Sequence, residues 1–170
     1  YILGCEETRI AALIDPAFEP EKLVARAKEL KLDVEWILNT HGHFDHINGN
    51  NVAVEMTGAK IIGHNSSTFH VDNKVDHEDI FSIGNLDVRV LFTPGHSPDE
   101  VCFFVNNQVL FTGDVLFVGE CGRTDLPGSN VQEMYKSLFE VLAHIPDDVD
   151  IFPGHDYGSS PMSTMGFERA

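Results

Sequence analysis

The segment Thr40-His41-Gly42-His43-Phe44-Asp45-His46 places three imidazoles and a carboxylate within six residues. Imidazole nitrogens and carboxylate oxygens are the donors that divalent metals take from proteins, and a solvated polar loop rarely concentrates them so densely. Alternate side chains of an extended segment share a face, so His41, His43 and Asp45 are expected to point together, with His46 turned in by the bend that follows. Four donors from one segment can serve two adjacent ions.

Three further sites add to this set. Thr93-Pro94-Gly95-His96, Thr112-Gly113-Asp114 and Pro153-Gly154-His155 each present one ligand-capable side chain after an apolar run and a glycine. Glycine permits the sharp turn or close backbone approach that such a position needs, and loops at strand ends are where ligands collect. His96, Asp114 and His155 supply what the first segment lacks for closed coordination at two sites.

These donors need elements to hold them. Ile10 to Ile14, Val34 to Leu38 and Ile61-Ile62 read as strands, and Thr40 to Gly49 as the loop at the carboxyl end of the second. A helix opens at Pro20-Glu21, with Leu23, Ala27 and Leu30 on its apolar face, and a shorter one runs from Asn51 to Met56 before Gly58. Leu86 to Phe92, Val101 to Val105 and Val109 to Thr112 read as antiparallel strands, the last two joined at Asn106-Asn107. A helix from Val131 to Ala143, with Met134, Leu138 and Leu142 on one face, and a strand from Asp150 to Phe152 complete the alternation. Strand-rich halves flanked by helices imply layered sheets with helices packed outside.

A chain of 170 residues, 42% hydrophobic and 22% charged, fits one globular domain and excludes disordered or collagen-like classes. The formal charge of −16 argues against nucleic acid or an anionic membrane face as a partner. Cys5, Cys102 and Cys121 are odd in number and widely spaced, so a reducing, cytoplasmic compartment is expected. No run is long and apolar enough to read as a membrane span or signal peptide. Tyr1-Ile2-Leu3 reads as mid-strand and Phe167 to Ala170 as helix-like, so residues 1–170 are expected to be one domain trimmed at both ends.

The H-x-H-x-D-H loop followed by Gly-His, Gly-Asp and Gly-His resembles the metallo-β-lactamase superfamily over nearly the whole chain. The resemblance implies an α/β (α+β) fold, a four-layer αββα sandwich with the site at one edge of the sheets. It puts His41, His43 and His96 on one metal, Asp45, His46 and His155 on a second, and Asp114 between them. Two divalent ions are then expected, zinc first, with iron or manganese also admitted. Cations sharing a carboxylate lower the pKa of a bridging water, so Asp45, Asp114 and the metal-bound water become the catalytic group, with no Ser or Cys nucleophile.

Within the superfamily, the intact Asp45 and His155-Asp156-Tyr157 resemble the short glyoxalase II (hydroxyacylglutathione hydrolase) branch, which hydrolyses thioesters. Arg123 and Tyr157 match residues that hold the glutathione moiety there, whereas Asp125 stands where that branch has a tyrosine. Cys121-Gly122-Arg123-Thr124-Asp125 and the same His155-Asp156-Tyr157 also resemble motifs of the iron-dependent persulfide dioxygenases, with Phe44 in place of their alanine. In that reading His41, His96 and Asp114 hold one iron. A third reading is a metal-binding homologue without catalysis. Asp15, just after a strand, is a candidate acceptor behind a ligand histidine. His64, His70, His77 and His144 read as surface or hydrogen-bonded residues, and Ser163-Thr164 as a helix cap.

Overall fold

A computed structural model describes residues 1–170. Its first sheet has the order β1 (Ile2–Gly4), β2 (Ile10–Ile14), β3 (Asp33–Leu38), β4 (Lys60–His64) and β5 (Asn73–Val75). Strand β1 is antiparallel to β2, and β2 to β5 are mutually parallel. Helices α1 (Pro20–Glu29), α2 (Phe44–Ile47) and α3 (Asn50–Thr57) lie in the crossovers between them.

The second sheet follows the order β11 (Ser163–Thr164), β10 (Asp150–Pro153), β9 (Val109–Gly113), β8 (Val101–Val105), β7 (Leu86–Phe92) and β6 (Ile80–Ile83). Strands β6 to β9 form an antiparallel meander, and β10 joins parallel to β9. Helix α4 (Val131–Lys136) runs into a π-helical turn at Ser137–Val141 and a 3₁₀ turn at Leu142–His144, and α5 (Met165–Arg169) closes the chain.

The period of two along each strand sends alternate side chains to different cores, which is why the chain folds in four layers. Ala12, Ile14, Leu38 and Ile62 meet Val88, Val90, Val101, Phe103 and Val105 between the sheets. The intervening Ala11, Leu13, Ile37 and Ile61 face outward onto Val24 and Ala27 of α1 and Ala53 of α3. On the far side Leu91, Cys102, Phe104 and Leu110 pack under Met134, Leu142 and Met165. Strand β8 is therefore apolar and buried on both faces.

Several elements differ from the sequence expectation. Val24 takes the buried place expected of Leu30, which is 40% exposed where α1 ends. The segment Thr40–Gly49 contains the one-turn helix α2 rather than loop alone. The single helix expected over Val131 to Ala143 is interrupted by the π turn, whose Ser137 hydroxyl donates to the Pro94 carbonyl at 2.6 Å. Thr164 caps α5, accepting from the Phe167 N–H at 3.3 Å. No helix is long and apolar enough to cross a membrane.

Candidate metal centre

Asp15, His41, His96, Asp114 and His155 all follow strands, at the carboxyl ends of β2, β3, β7, β9 and β10. Parallel pairing of β2 with β3 and of β9 with β10 brings four of those ends to one edge. A hydrogen bond from Val101 N–H to the Thr40 carbonyl, 2.8 Å, joins the two sheets there. Beyond Thr40 the chain stays extended at His43 before α2 begins, so α2 carries Asp45 and His46 inward.

All seven predicted donors converge. The ligand atoms of His41, His43 and His96 lie within 4.8 Å of one another, as do those of His41, His46 and Asp114, and those of Asp45, His46 and His155. Nδ1 of His43 stands 3.0 Å from Nε2 of His41 and 2.9 Å from Nε2 of His96. On the other side Nε2 of His46 faces Nε2 of His155 at 3.2 Å. Asp114 lies between, its Oδ1 3.3 Å from His46 and its Oδ2 3.5 Å from His96 and 3.3 Å from His155.

Tetrahedral coordination with metal–nitrogen bonds of about 2.0–2.1 Å separates donor atoms by roughly 3.3 Å. The ring nitrogens here meet near that spacing, and Oδ1 of Asp114 is buried without a hydrogen-bond partner. Nitrogens crowded edge to edge around a lone carboxylate oxygen are what a divalent cation would satisfy, so the donor set fits a metal. Gly154 completes the cradle, because a Cβ there would collide with Oδ1 of Asp114 and with the His46 ring.

The outer ring atoms are held as well. Nδ1 of His46 meets Oδ2 of Asp15 at 2.9 Å, and Nδ1 of His96 meets the Arg123 carbonyl at 3.0 Å. Nδ1 of His41 meets the Thr40 hydroxyl at 3.1 Å, and that hydroxyl donates to Asp15 at 2.7 Å. Such acceptors fix tautomer and orientation, leaving the inner nitrogen free to bind.

Burial would lower the pKa of His46, but the charge of Asp15 and its hydrogen bond, with the Asp114 carboxylate 3.3 Å away on the other side, raise it to about 11. Burial pushes Asp114 up, yet the His155 and His46 rings, each 3.3 Å from its oxygens, hold it well below the carboxylate range. Burial, with the His46 charge beside it, holds His41 well below its ordinary value.

Sequence reasoning missed two buried carboxylates on the strand-entry segment, Asp99 and Glu100. Asp99 accepts hydroxyl bonds from Ser97 at 2.5 Å and Ser67 at 2.8 Å, and the Gly42 N–H at 3.4 Å. Their only sequence signal is an acidic pair directly before the wholly apolar β8. His64 is buried, stacked on Phe92 at 4.1 Å and bonded to Ser66 at 2.7 Å, away from the seven donors.

The centre opens into a cleft of about 440 Å³ whose wall includes Phe44, Phe117, Cys121, Arg123, Leu126 and Tyr157. Tyr157 lies flat on His155, centroids 4.8 Å apart, with Phe117 edge-on to both rings. Arg123 forms a bidentate ion pair with Asp125, at 2.6 and 2.8 Å. The three thiols are unpaired, and only Cys121 is exposed.

The family model for the metallo-beta-lactamase superfamily matches residues 6–155. The probable hydroxyacylglutathione hydrolase glo2 of Schizosaccharomyces pombe is 36% identical over 168 residues, 94% of this chain and 64% of its own length. The chain thus spans just under two thirds of that relative. The mitochondrial persulfide dioxygenase ETHE1 of Mus musculus is 36% identical over 172 residues, 99% of this chain and 68% of its own. The crystal structure of ETHE1 from Myxococcus xanthus superposes with a TM-score of 0.94 at 35% identity, covering 99% of this chain and 75% of that one. The two-sheet architecture, the donor-bearing strand ends and these likenesses agree: the chain belongs to the metallo-beta-lactamase superfamily.

Proposed function

We propose that this chain is a binuclear metal-dependent hydrolase of a small-molecule thioester, of the hydroxyacylglutathione type. The reading rests on the second donor cluster, Asp45, His46 and His155, which closes within the same 4.8 Å limit as the first. A mononuclear enzyme needs only one such set. The hydroxyacylglutathione hydrolase of S. pombe at 36% identity supports the substrate class.

In this reading His41, His43 and His96 would hold one ion and Asp45, His46 and His155 the other, with Asp114 between the two sets. When bound, two divalent cations would lower the pKa of a coordinated water and polarise the carbonyl under attack. Zinc is the first candidate, because a nitrogen-rich set at near-tetrahedral spacing suits it, and iron or manganese suit the same donors. Phe44, Phe117 and Tyr157 would exclude water from the reacting bond and face the apolar stem of the substrate. Arg123 would clamp a glutathione carboxylate after exchanging Asp125 for it. A leaving thiol of pKa about 8.5 departs with little help from a general acid.

A second reading is an iron-dependent persulfide dioxygenase, with His41, His96 and Asp114 as a two-histidine, one-carboxylate iron set. The likeness to the M. xanthus ETHE1 structure, over 99% of the chain, favours it. Metal content per chain, measured on protein purified without added metal, separates the two when paired with activity. Two ions with hydrolysis of lactoylglutathione are expected. One iron with oxygen uptake on glutathione persulfide would replace the hydrolase, and no metal with neither activity would leave a non-catalytic homologue.

A further inference from the structure

Glu100 stands directly under the metal centre, and its side chain is completely buried. Its peptide is clamped on both sides, since the Glu100 carbonyl accepts the Thr93 N–H at 2.9 Å and the next residue's N–H reaches the Thr40 carbonyl. Oε1 accepts the backbone N–H of Asp114 at 2.7 Å and lies 3.4 Å from Nδ1 of His41. Oε2 is buried and has no partner.

A carboxyl group with one orphaned oxygen is costly to bury, and nothing about packing asks for it, because β8 immediately after is wholly apolar. Space has nonetheless been kept for it. Gly113, at φ 52°, has no Cβ, and one added there would collide with Oε1 of Glu100 and with the Thr40 side chain. The Thr40 hydroxyl, the other neighbour of the His41 outer nitrogen, gives its own proton to Asp15. The outer nitrogen of His41 thus has the Thr40 hydroxyl as its hydrogen-bond partner at 3.1 Å and Oε1 of Glu100 beside it at 3.4 Å, and that same oxygen holds the Asp114 backbone.

We propose that Glu100 is a positioning residue of this centre, a single buried acceptor that fixes the Asp114 backbone and the His41 ring together. The role rests on the metal reading of the seven donors. Oε1 accepts whether or not the group is ionised, so acceptance by that atom is the property that matters. An acceptor of this kind behind a ligand histidine changes metal affinity by about 10- to 100-fold when lost.

The test compares Glu100→Gln, which keeps a carbonyl acceptor, with Glu100→Leu, which keeps only bulk. Cobalt(II) is titrated into each metal-free protein against a competing chelator, and the visible spectrum reports coordination at the His41 side. Glu100→Leu should weaken the tighter cobalt about 10- to 100-fold and alter its spectrum, while Glu100→Gln stays close to wild type. Wild-type affinity and spectrum in Glu100→Leu, or equal weakening in both variants, would overturn the assignment. A wild-type chain that takes up no cobalt would instead overturn the metal reading, and the role of Glu100 with it. Should Glu100→Leu fail to fold, Glu100→Met, which also keeps bulk and lacks a strong acceptor, takes its place in the same titration. Weakened cobalt binding with an altered spectrum is expected, and wild-type binding in Glu100→Met would overturn the assignment.

Discussion

The two donor clusters are built from different materials. His41 and His96 are buried at the ends of β3 and β7, with His41 fully enclosed, and His43 of the same set is half-buried. In the second cluster His46 is buried too, but the Asp45 side chain is 45% exposed and that of His155 23%. Asp45 rides on a one-turn helix held by little more than the bonds from Ile47 N–H to the His43 carbonyl and from Asn48 N–H to the Phe44 carbonyl, whereas His41 lies just beyond β3, a strand paired on both sides. A rigid, dry set of donors loses little entropy and little competing hydration on binding a cation, and a mobile, wetted set loses more of both. The first cluster should therefore hold its ion tightly, and the second should exchange more readily and lie nearer the substrate.

Asp114 is the group common to both clusters, so its removal erases the distinction. Asp114→Ala should lower thioester hydrolysis at least a thousandfold, about 4 kcal/mol of lost transition-state stabilisation, and should reduce bound metal at both positions. Elemental analysis beside the kinetic assay measures this. Hydrolysis at wild-type rate in Asp114→Ala would remove the proposed mechanism.

The next experiment sets one cluster against the other. Graded chelation of the loaded protein should release metal in two phases, the weaker from Asp45, His46 and His155. Asp45→Ala should lose the weaker phase, keep one ion and fall about 100-fold in hydrolysis, roughly 2.7 kcal/mol. His43→Ala should instead lose the tighter phase. One release phase unaltered by either substitution would mean that the exposure difference does not govern affinity. In a one-iron dioxygenase, Asp45→Ala would keep its metal and its oxygen uptake.

How far the sequence reveals these clusters depends on what each part is made of. The donors are legible because seven His and Asp residues in turn-prone segments have little other reason to be there. β7 and β8 are legible to the residue, the first as a segment whose apolar residues are spaced by Asp87 and Arg89 and the second as an apolar run, both between turn signals. Asn73–Val75 and the two residues of β11 are not, since short polar edge strands owe their pairing to neighbours rather than to their own propensity. The π turn at Ser137–Val141 has no local signature, and its Ser137 bond to the Pro94 carbonyl is a tertiary contact. Asp15 can be suspected behind a histidine from its place after a strand. Glu100 cannot, because an acid beside Pro98 and Asp99 looks like solvent-facing loop until β9 is laid alongside it.

The smallest effect belongs to the cleft mouth, where binding rather than chemistry should respond. Arg123 and Asp125 are both well exposed, and their bidentate pair is the arrangement a substrate carboxylate would have to replace. Asp125 raises the Arg123 pKa through its hydrogen bonds and charge, so the guanidinium stays charged throughout the working pH range. If Arg123 binds the glutathione moiety, Asp125 is its internal competitor, and the two residues must act on KM in opposite directions. Arg123→Ala should raise KM for lactoylglutathione about tenfold with kcat little changed, as loss of a charge-assisted hydrogen bond requires. Asp125→Ala should free the fork and lower KM about threefold, provided the substrate carboxylate gains what Asp125 gives up. Exposed ion pairs contribute little to folding, so neither variant should shift the melting temperature much. Equal KM values in the two variants would confine Arg123 to tying its own loop, through the carbonyl that holds His96, and would leave substrate recognition to the aromatic wall around His155.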